Sequence, residues 1–506
     1  MTHSGSPAPE TDDRHTVRTG PIRTELRARS ERSTLSMASA AFFLCFVNWF
    51  AFAPFAPQIA DSLGLGKRDL VALGLCNVAL TIPARVLVGV LLDRWGPRRV
   101  YTAILLWACV PAFATALADD YTSLATARVG ASLVGASFVV GIRLVREWFP
   151  DERLGMAEGI YAGVGNAGSA GAAMALPVIA HLVASAGVGD HSQAWRIAVA
   201  SPGVASALFA LAWWKTVADS PSQGPVAGRM HERARRAPGD RGGAPPPLSR
   251  SAGETKLAAV LHAGMPAAVG LIVLRLRDFG VVDSAASLAL LAGLAIWAAG
   301  EVTRQLRSPC ETMVVTEHRE PASRSELAHT ALLSAAYAAT FGGEIALVSL
   351  LPTILTERWG LSAVAAGASA SLFAWMNVLA RPLGGRRADR SDSRIGTIGY
   401  YCLRAGLTLL CVAVSAGAGA DWVVFALGCA VASWFLQGAE GAIFAVVPLV
   451  RRDVAGRVAG IVGAYGNVGA TLFLAATWFV GYTALVPLVG LANCCVWFLL
   501  KRPGRD

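Results

Sequence analysis

Long apolar stretches recur along this chain from residue 37 almost to its last residues. Each is close to the roughly 20 residues that carry a helix across a bilayer. They run 37–60, 69–92, 101–118, 122–145, 156–184 and 195–217. After a long interruption they resume as 328–355, 362–383, 396–417, 421–449, 454–477 and 479–500. Two weaker apolar segments, 257–276 and 283–300, lie within the interruption. The pattern predicts an all-α polytopic membrane protein of two six-helix bundles. The extra pair is expected as an apolar hairpin between the halves, either spanning or lying on the membrane surface.

Composition agrees. Of 506 residues, 54% are hydrophobic and 15% charged, where a soluble domain carries about 25% charge. Mean hydropathy is +0.50. The formal net charge of +10 would suggest nucleic acid on a soluble domain. Here no recognition fold is visible, and the basic residues sit in short loops between apolar segments. Arg94, Arg98 and Arg99 follow the second segment, and Arg146 and Arg153 the fourth. Arg386, Arg387, Arg390 and Arg394 follow the eighth, and Arg451, Arg452 and Arg457 the tenth. The alternate loops are poorer in basic residues: Lys67 and Arg68 are offset by Asp61 and Asp69, then come Asp119 and Asp120, and later Asp421. Positive loops stay on the cytoplasmic side, so both termini should be cytoplasmic in a bacterial-type inner membrane.

The expected organisation follows: a disordered cytoplasmic tail, 1–36; a six-helix bundle, 37–217; a linker, 218–256; the hairpin, 257–300; a second linker, 301–327; a six-helix bundle, 328–500; and a short tail, 501–506. The first tail has no apolar run after its charges and is not a signal peptide. The linker 218–256, rich in Pro, Gly and Arg, cannot bury a core. Nine cysteines are scattered without the spacing of a metal site or disulfide framework. No phosphate-cradling loop and no nucleophile–base set is present. Neither metal, cofactor nor catalysis is expected.

The halves repeat. Gly89-Val-Leu-Leu-Asp93-Arg94-Trp-Gly96-Pro-Arg98-Arg99 follows the second segment, and Gly385-Arg-Arg-Ala-Asp389-Arg390 the eighth. Arg85 and Arg381 precede Asp93 and Asp389 by the same spacing, each inside an apolar segment. An arginine within a span costs about 2.5–3.5 kcal/mol on insertion scales and marks a functional site by default. Its planar, permanently charged fork suits planar oxyanions; the plainer alternative is snorkelling to the nearby membrane face. A glycine–asparagine run also occurs twice. Gly159-x-x-x-Gly163-x-Gly165-Asn166-x-Gly168 lies in the fifth segment, and Gly460-x-x-Gly463-Ala464-x-Gly466-Asn467-x-Gly469 in the eleventh. Such spacing lets helices approach closely. Glu344 and Glu440 are intramembrane carboxylates that must pair, face water or bind protons. A salt bridge to a site arginine or Arg143 is one reading; proton coupling is the other.

The first loop resembles the signature loop of the major facilitator superfamily, whose charges latch the cytoplasmic ends of the bundles. Gly89, Asp93, Arg94, Arg98, Asp389 and Arg390 would form that latch. The paired glycine–asparagine runs resemble the nitrate–nitrite porter branch, with Ala464 as a mild departure. Cys76 to Arg85, Gly141 to Pro150, Ala157 to Tyr161 and Gly463 to Gly469 are similar to cyanobacterial-type nitrate permeases. The resemblance covers roughly residues 37 to 500. It implies that Arg85 and Arg381 bind nitrate, and that Phe138 and Phe341 sandwich the planar anion. It also implies that Tyr337 and Asn166 line the site; Asn467, Gly165 and Gly466 are placed there with them.

The expected function is secondary transport of nitrate, and of nitrite, by alternating access. Drawing a monovalent anion into a negative cell costs about 2.3 kcal/mol per 100 mV. Uptake therefore needs more than one co-transported cation, or exchange against an outgoing anion such as nitrite. Glu344 and Glu440 favour protons as the coupling ion. An exporter of another anion and a transporter-like anion sensor are the remaining alternatives; the oligomeric state stays open, a monomer included. Arg85→Lys and Arg381→Lys keep the charge and lose the fork. Each should weaken nitrate uptake about 30-fold, the equivalent of about 2 kcal/mol of charged hydrogen bonding. Near-normal uptake in both variants would remove the pair from the site.

Overall fold

The computed structural model describes residues 20–150, 152–187, 193–217, 252–278, 280, 282–307, 324–361, 363–451 and 455–501. Linker residues 218–251 and 308–323, residues 1–19 and the end of the last tail lie outside the described residues. The N-terminal half runs α1 (Gly20–Phe50), α2 (Ala56–Leu63), α3 (Lys67–Ala79), α4 (Thr81–Ala116), α5 (Tyr121–Ala131), α6 (Ser137–Trp148), α7 (Leu154–Asn166), α8 (Gly168–Ser185) and α9 (Ala194–Thr216). Between the halves stand α10 (Ala252–Asp278) and α11 (Ser284–Arg307). The C-terminal half comprises α12 (Arg324–Trp359), α13 (Ala363–Trp375), α14 (Asn377–Asp389), α15 (Arg394–Gly417), α16 (Trp422–Phe444), α17 (Val447–Val450), α18 (Ala455–Val480) and α19 (Leu485–Leu500).

Ten segments of the described residues are long and apolar enough to cross a membrane. One of them, Ala72–Ala116, has 45 residues, or about 65 Å of helix, twice the ~30 Å hydrocarbon core. It doubles back at Gly96, whose φ of 77° breaks the helix; only glycine adopts that conformation without a steric penalty. The α13–α14 segment, which carries Arg381, Arg386, Arg387 and Asp389, is not among the ten. With these two resolved, each half has six spans. Outward-facing positions such as Leu117, Leu208, Val414, Phe479 and Phe498 are exposed and apolar, the inverse of a soluble surface. On the less basic side, Asp120 caps α5 by accepting from the Ser123 N–H at 2.9 Å. That bond holds its carboxyl below the usual aspartate range. Asp421 caps α16 in the same way.

One boundary differs from expectation. Helix α1 begins at Gly20, so residues 20–36, assigned above to a disordered tail, are helical. The stretch is polar but includes four Arg, two Glu and two Leu, which are strong helix formers. Glu31 is buried and pairs with Arg153 at 3.2 Å. Polarity shows that a segment leaves the membrane, not that its helix stops.

The halves meet along two seams. In one, Gly155, Gly159 and Gly163 of α7 face Gly385, Arg381 and Asn377 of α14; in the other, Gly456, Gly460 and Gly463 of α18 face Asp93, Gly89 and Arg85 of α4. A Cβ on Gly159 would lie 2.5 Å from the Arg381 carbonyl oxygen, and one on Gly385 1.9 Å from that of Gly155. The glycines therefore set the helix separation. Both seams run from the site arginines toward the arginine-rich loops, where the halves are closed together. Helix α10 packs against α3 of one half and α12 and α18 of the other, while α11 leaves Leu288, Ile296 and Trp297 exposed.

Gly159→Val forces overpacking, worth about 1–3 kcal/mol. It should lower the midpoint of thermal unfolding by several degrees, at about 2–4 °C per kcal/mol. Gly74→Ala, whose Cβ meets nothing within 4 Å, should leave the midpoint unchanged. Equal midpoints for both variants would contradict a seam set by glycine.

Candidate functional site

The local chain path brings the site together. Regular helix is interrupted at Leu80, just before Arg85, and at Met376, just before Arg381. A 3-10 stretch, Ser132–Ala136, precedes Phe138, and α7 ends at Asn166 with a one-residue break at Ala167. Discontinuous helices at membrane depth are tolerated where they line a protein interior.

Arg85 and Arg381 are both 0% exposed, so neither snorkels. Their surroundings differ. Arg381 donates from Nη2 to Glu344 Oε2 at 2.9 Å and from Nε to Asn377 Oδ1 at 2.6 Å, and it forms an ion pair with Glu440. Asn377 and Gln437 in turn donate to Glu344 Oε1, at 2.6 and 3.3 Å. Arg85 meets backbone oxygens and the Tyr337 side chain, and no carboxylate of the described residues bonds it. Its Nε donates to Gly135 at 3.2 Å, its Nη1 donates to Gly463, and its Nη2 has no hydrogen-bond partner. Two carboxylates therefore balance one arginine, and none is bonded to the other.

Aromatic rings gather round the guanidinium groups. The Arg85 Cζ lies 5.4 Å from the centre of Phe138 and 5.3 Å from that of Phe341, and Arg381 lies 5.6 Å from Phe341. Tyr337 stacks on Phe341 at 4.9 Å and 5°. Across the boundary between the halves, Tyr337 faces Phe138 at 6.3 Å and 10°. A planar guest between parallel rings needs about 7 Å, twice the ~3.5 Å carbon contact distance. The two ring centres stand nearly that far apart. Phe444 closes it edge-on, 4.7 Å from Phe138 and 4.9 Å from Tyr337.

Asn166 and Asn467 are 3% and 0% exposed, and no side-chain oxygen or nitrogen of either has a hydrogen-bond partner. Buried amides are ordinarily satisfied, so the two stand out as buried amides without a protein partner. Gly165 and Gly466 allow close ring packing. A Cβ on Gly165 would strike Phe42, and one on Gly466 would strike Phe341 and Tyr337. Toward the arginine-rich end, Asp93 pairs with Arg143 at 3.1 Å, and Arg143 with Glu147 at 2.6 Å. Asp389 accepts from the N–H groups of Gly155 and Met156 at 2.9 and 2.8 Å, capping α7 from the other half. Half-burial holds its carboxyl above the ordinary aspartate value, against the pull of those two donors. Arg98 hydrogen-bonds the Trp214 carbonyl at 3.2 Å through Nε, whereas Arg94 and Arg390 are exposed.

Four participants escape the sequence reading. Asn377 lies one turn before Arg381 on the same helix face, a spacing that signals contact. Gln437 carried no signal above its apolar setting. Phe444 was one apolar residue among many. Glu158 is 0% exposed, and neither carboxylate oxygen has a hydrogen-bond partner; its placement inside an apolar run is the criterion that identified Glu344.

Comparison with known proteins supports a family assignment. Residues 38–308 match the model of the Major Facilitator Superfamily. The chain is 34% identical to the nitrate/nitrite transporter NrtP of Nostoc punctiforme over 92% of this chain and 91% of that one. It is 35% identical to NrtP of Picosynechococcus over 93% of each. It also resembles the high-affinity nitrate transporter 2.3 of Oryza sativa at 25% over 88% and 72%. Among solved structures, the proton:xylose symporter XylE superposes with a TM-score of 0.60 at 12% identity, covering 94% of this chain and 95% of that one, a likeness of fold.

Asn166→Leu and Asn467→Leu remove amides that have no protein partner. Thermal stability should be unchanged or raised. Nitrate binding, followed by titration calorimetry, should weaken about tenfold, the equivalent of one hydrogen bond to a charged group. Unaltered binding in both variants would take the asparagines out of the site.

Proposed function

The chain belongs to the nitrate–nitrite porter family of the major facilitator superfamily, and on that premise we propose that it carries nitrate and nitrite across the cytoplasmic membrane. Uptake is by alternating access and is coupled to protons. The observation that carries this reading is the uncompensated Arg85. A buried guanidinium without a carboxylate, flanked by the faces of Phe138 and Phe341, suits a flat, delocalised monovalent anion. A tetrahedral anion gains nothing from the parallel rings. The free Nη2 of Arg85 and the free amides of Asn166 and Asn467 supply in-plane contacts, while Arg381 and Tyr337 border the anion. Relatives named nitrate/nitrite transporters at 34% and 35% identity support the cargo.

The charges support coupling. Arg85 and Arg381 are matched in number by Glu344 and Glu440, so the empty site sums to neutrality with both carboxylates ionised. An entering nitrate leaves one negative charge in excess. A proton on Glu440, which is fully buried with Oε1 free of hydrogen bonds, restores neutrality. One proton per nitrate cancels the electrical work of moving the anion inward, about 2.3 kcal/mol per 100 mV; any further proton would add net driving force. Release toward the cytoplasm requires the two glycine seams to part. The carboxylates of Asp93 and Asp389 act as the latch, since each sits at the start of a helix of the opposite half, where the helix dipole favours negative charge.

The test is nitrate flux into liposomes containing the purified protein, with an imposed inward proton gradient and with or without trapped nitrite. The gradient alone should drive uptake. Glu440→Gln should reduce that uptake to background while nitrate–nitrite exchange persists. Uptake that occurs only with nitrite inside would instead establish an exchanger and leave both carboxylates structural.

A further inference from the structure

A third arginine lies deep in the N-terminal half, away from both seams. Arg128 is 5% exposed. It sits two turns into α5, about 10 Å along the helix from its capped start at Tyr121. Its guanidinium lies 4.6 Å from the centre of the Phe52 ring. Nε has no hydrogen-bond partner, and no carboxylate of the described residues pairs with it. Other buried or half-buried arginines are held differently: Arg143, Arg196 and Arg381 by carboxylates, and Arg85, Arg98 and Arg394 by backbone carbonyls.

Arg128 also lines a cavity. The cavity is enclosed by Asn48 of α1, by Ala108, Pro111 and Thr115 of α4, and by Val199 of α9. Its free volume is about 10 Å³, the scale of one water-sized occupant. Asn48 donates its amide to Leu44, Pro202 and Ser206, tying α1 to α9. Thr115 donates to Pro111 within its own helix. No acidic side chain lines the cavity.

We propose that this cavity is a binding site for one small monovalent anion of chloride size, held by Arg128 and separate from the transport pathway. Guanidinium stays protonated in a protein interior, so burial cannot be relieved by releasing the proton. A neutral water would satisfy one donor and leave the charge without a counter-ion. A small anion does both. The occupant would bind where α1, α4, α5 and α9 meet, and would therefore stabilise the N-terminal half. Transport would acquire a dependence on an anion that is not carried. Nitrate, planar and larger, fits this cavity less well than a halide.

The experiment is thermal unfolding of the full-length purified protein in gluconate, with chloride added at constant ionic strength. Chloride should raise the midpoint by several degrees in the wild type and in Arg85→Ala, which lacks the transport-site guanidinium. Arg128→Met should lose the response and, in gluconate, should unfold no earlier than the wild type, because removing an unpaired buried charge relieves the folded state. Nitrate in place of chloride, on Arg85→Ala, should give a smaller shift; an equal or larger one would overturn the preference for a halide. An undiminished chloride response in Arg128→Met, or none in the wild type, would overturn the site itself. If Arg128→Met fails to fold, crystals of the wild type soaked in bromide decide the matter. An anomalous peak within hydrogen-bond distance of the Arg128 guanidinium supports the site. Water alone at that position refutes it.

Discussion

Two arginines buried near the middle of a bilayer-spanning fold impose the constraint on which the other features depend. Such charges are costly to desolvate, and the low surrounding dielectric makes each local partner weigh heavily. The two are satisfied unequally. Arg381 is set in a network of Glu344, Glu440 and Asn377, braced by Gln437. Arg85 is held by carbonyl oxygens, beside Tyr337 and without a carboxylate among the described residues. The network ties Arg381 to three other residues of the C-terminal half, whereas no carboxylate of the described residues bonds Arg85. A symmetric arrangement, with one carboxylate for each arginine, would present a neutral pair with little pull on an anion.

The glycine seams follow from the same constraint. For both arginines to share one cavity, the helices that carry them must touch helices of the opposite half. Gly159 and Gly460 meet the backbones of Arg381 and Arg85. Side chains at these positions would separate the halves by more than the aromatic slot tolerates. Each seam ends in an aspartate, Asp389 at the start of α7 and Asp93 near the start of α18. The buried arginines, the glycine interface and the aspartates thus occupy successive turns of the same helix pairs. A motion that parts one pair must alter all three.

Close packing also explains why the buried asparagines matter. In a bundle where glycine brings backbones together, a polar side chain without a partner is costly. Asn166 and Asn467 sit one turn beyond Gly163 and Gly463, where the seams give way to the site. Their unmet hydrogen bonds match those of the free Arg85 nitrogen.

Much of this was legible in the amino-acid sequence alone. Apolar length and charge asymmetry determine that helices cross a membrane. The duplicated Arg–Asp spacing determines that the halves are related. Two arginines inside apolar runs locate the site, because lipid admits a charge only where function or a partner requires it. Tertiary structure decided what spacing cannot encode. Glu344 and Glu440 both turn to Arg381 rather than Arg143, because that choice depends on how α12, α14 and α16 pack. The helical state of residues 20–36 was hidden because polarity reports exposure and not backbone conformation. Asn377, Gln437, Glu158 and Arg128 took on meaning only once burial and partners were visible. A polar residue in an apolar run is informative in proportion to what it fails to bond, and that is a property of the folded chain.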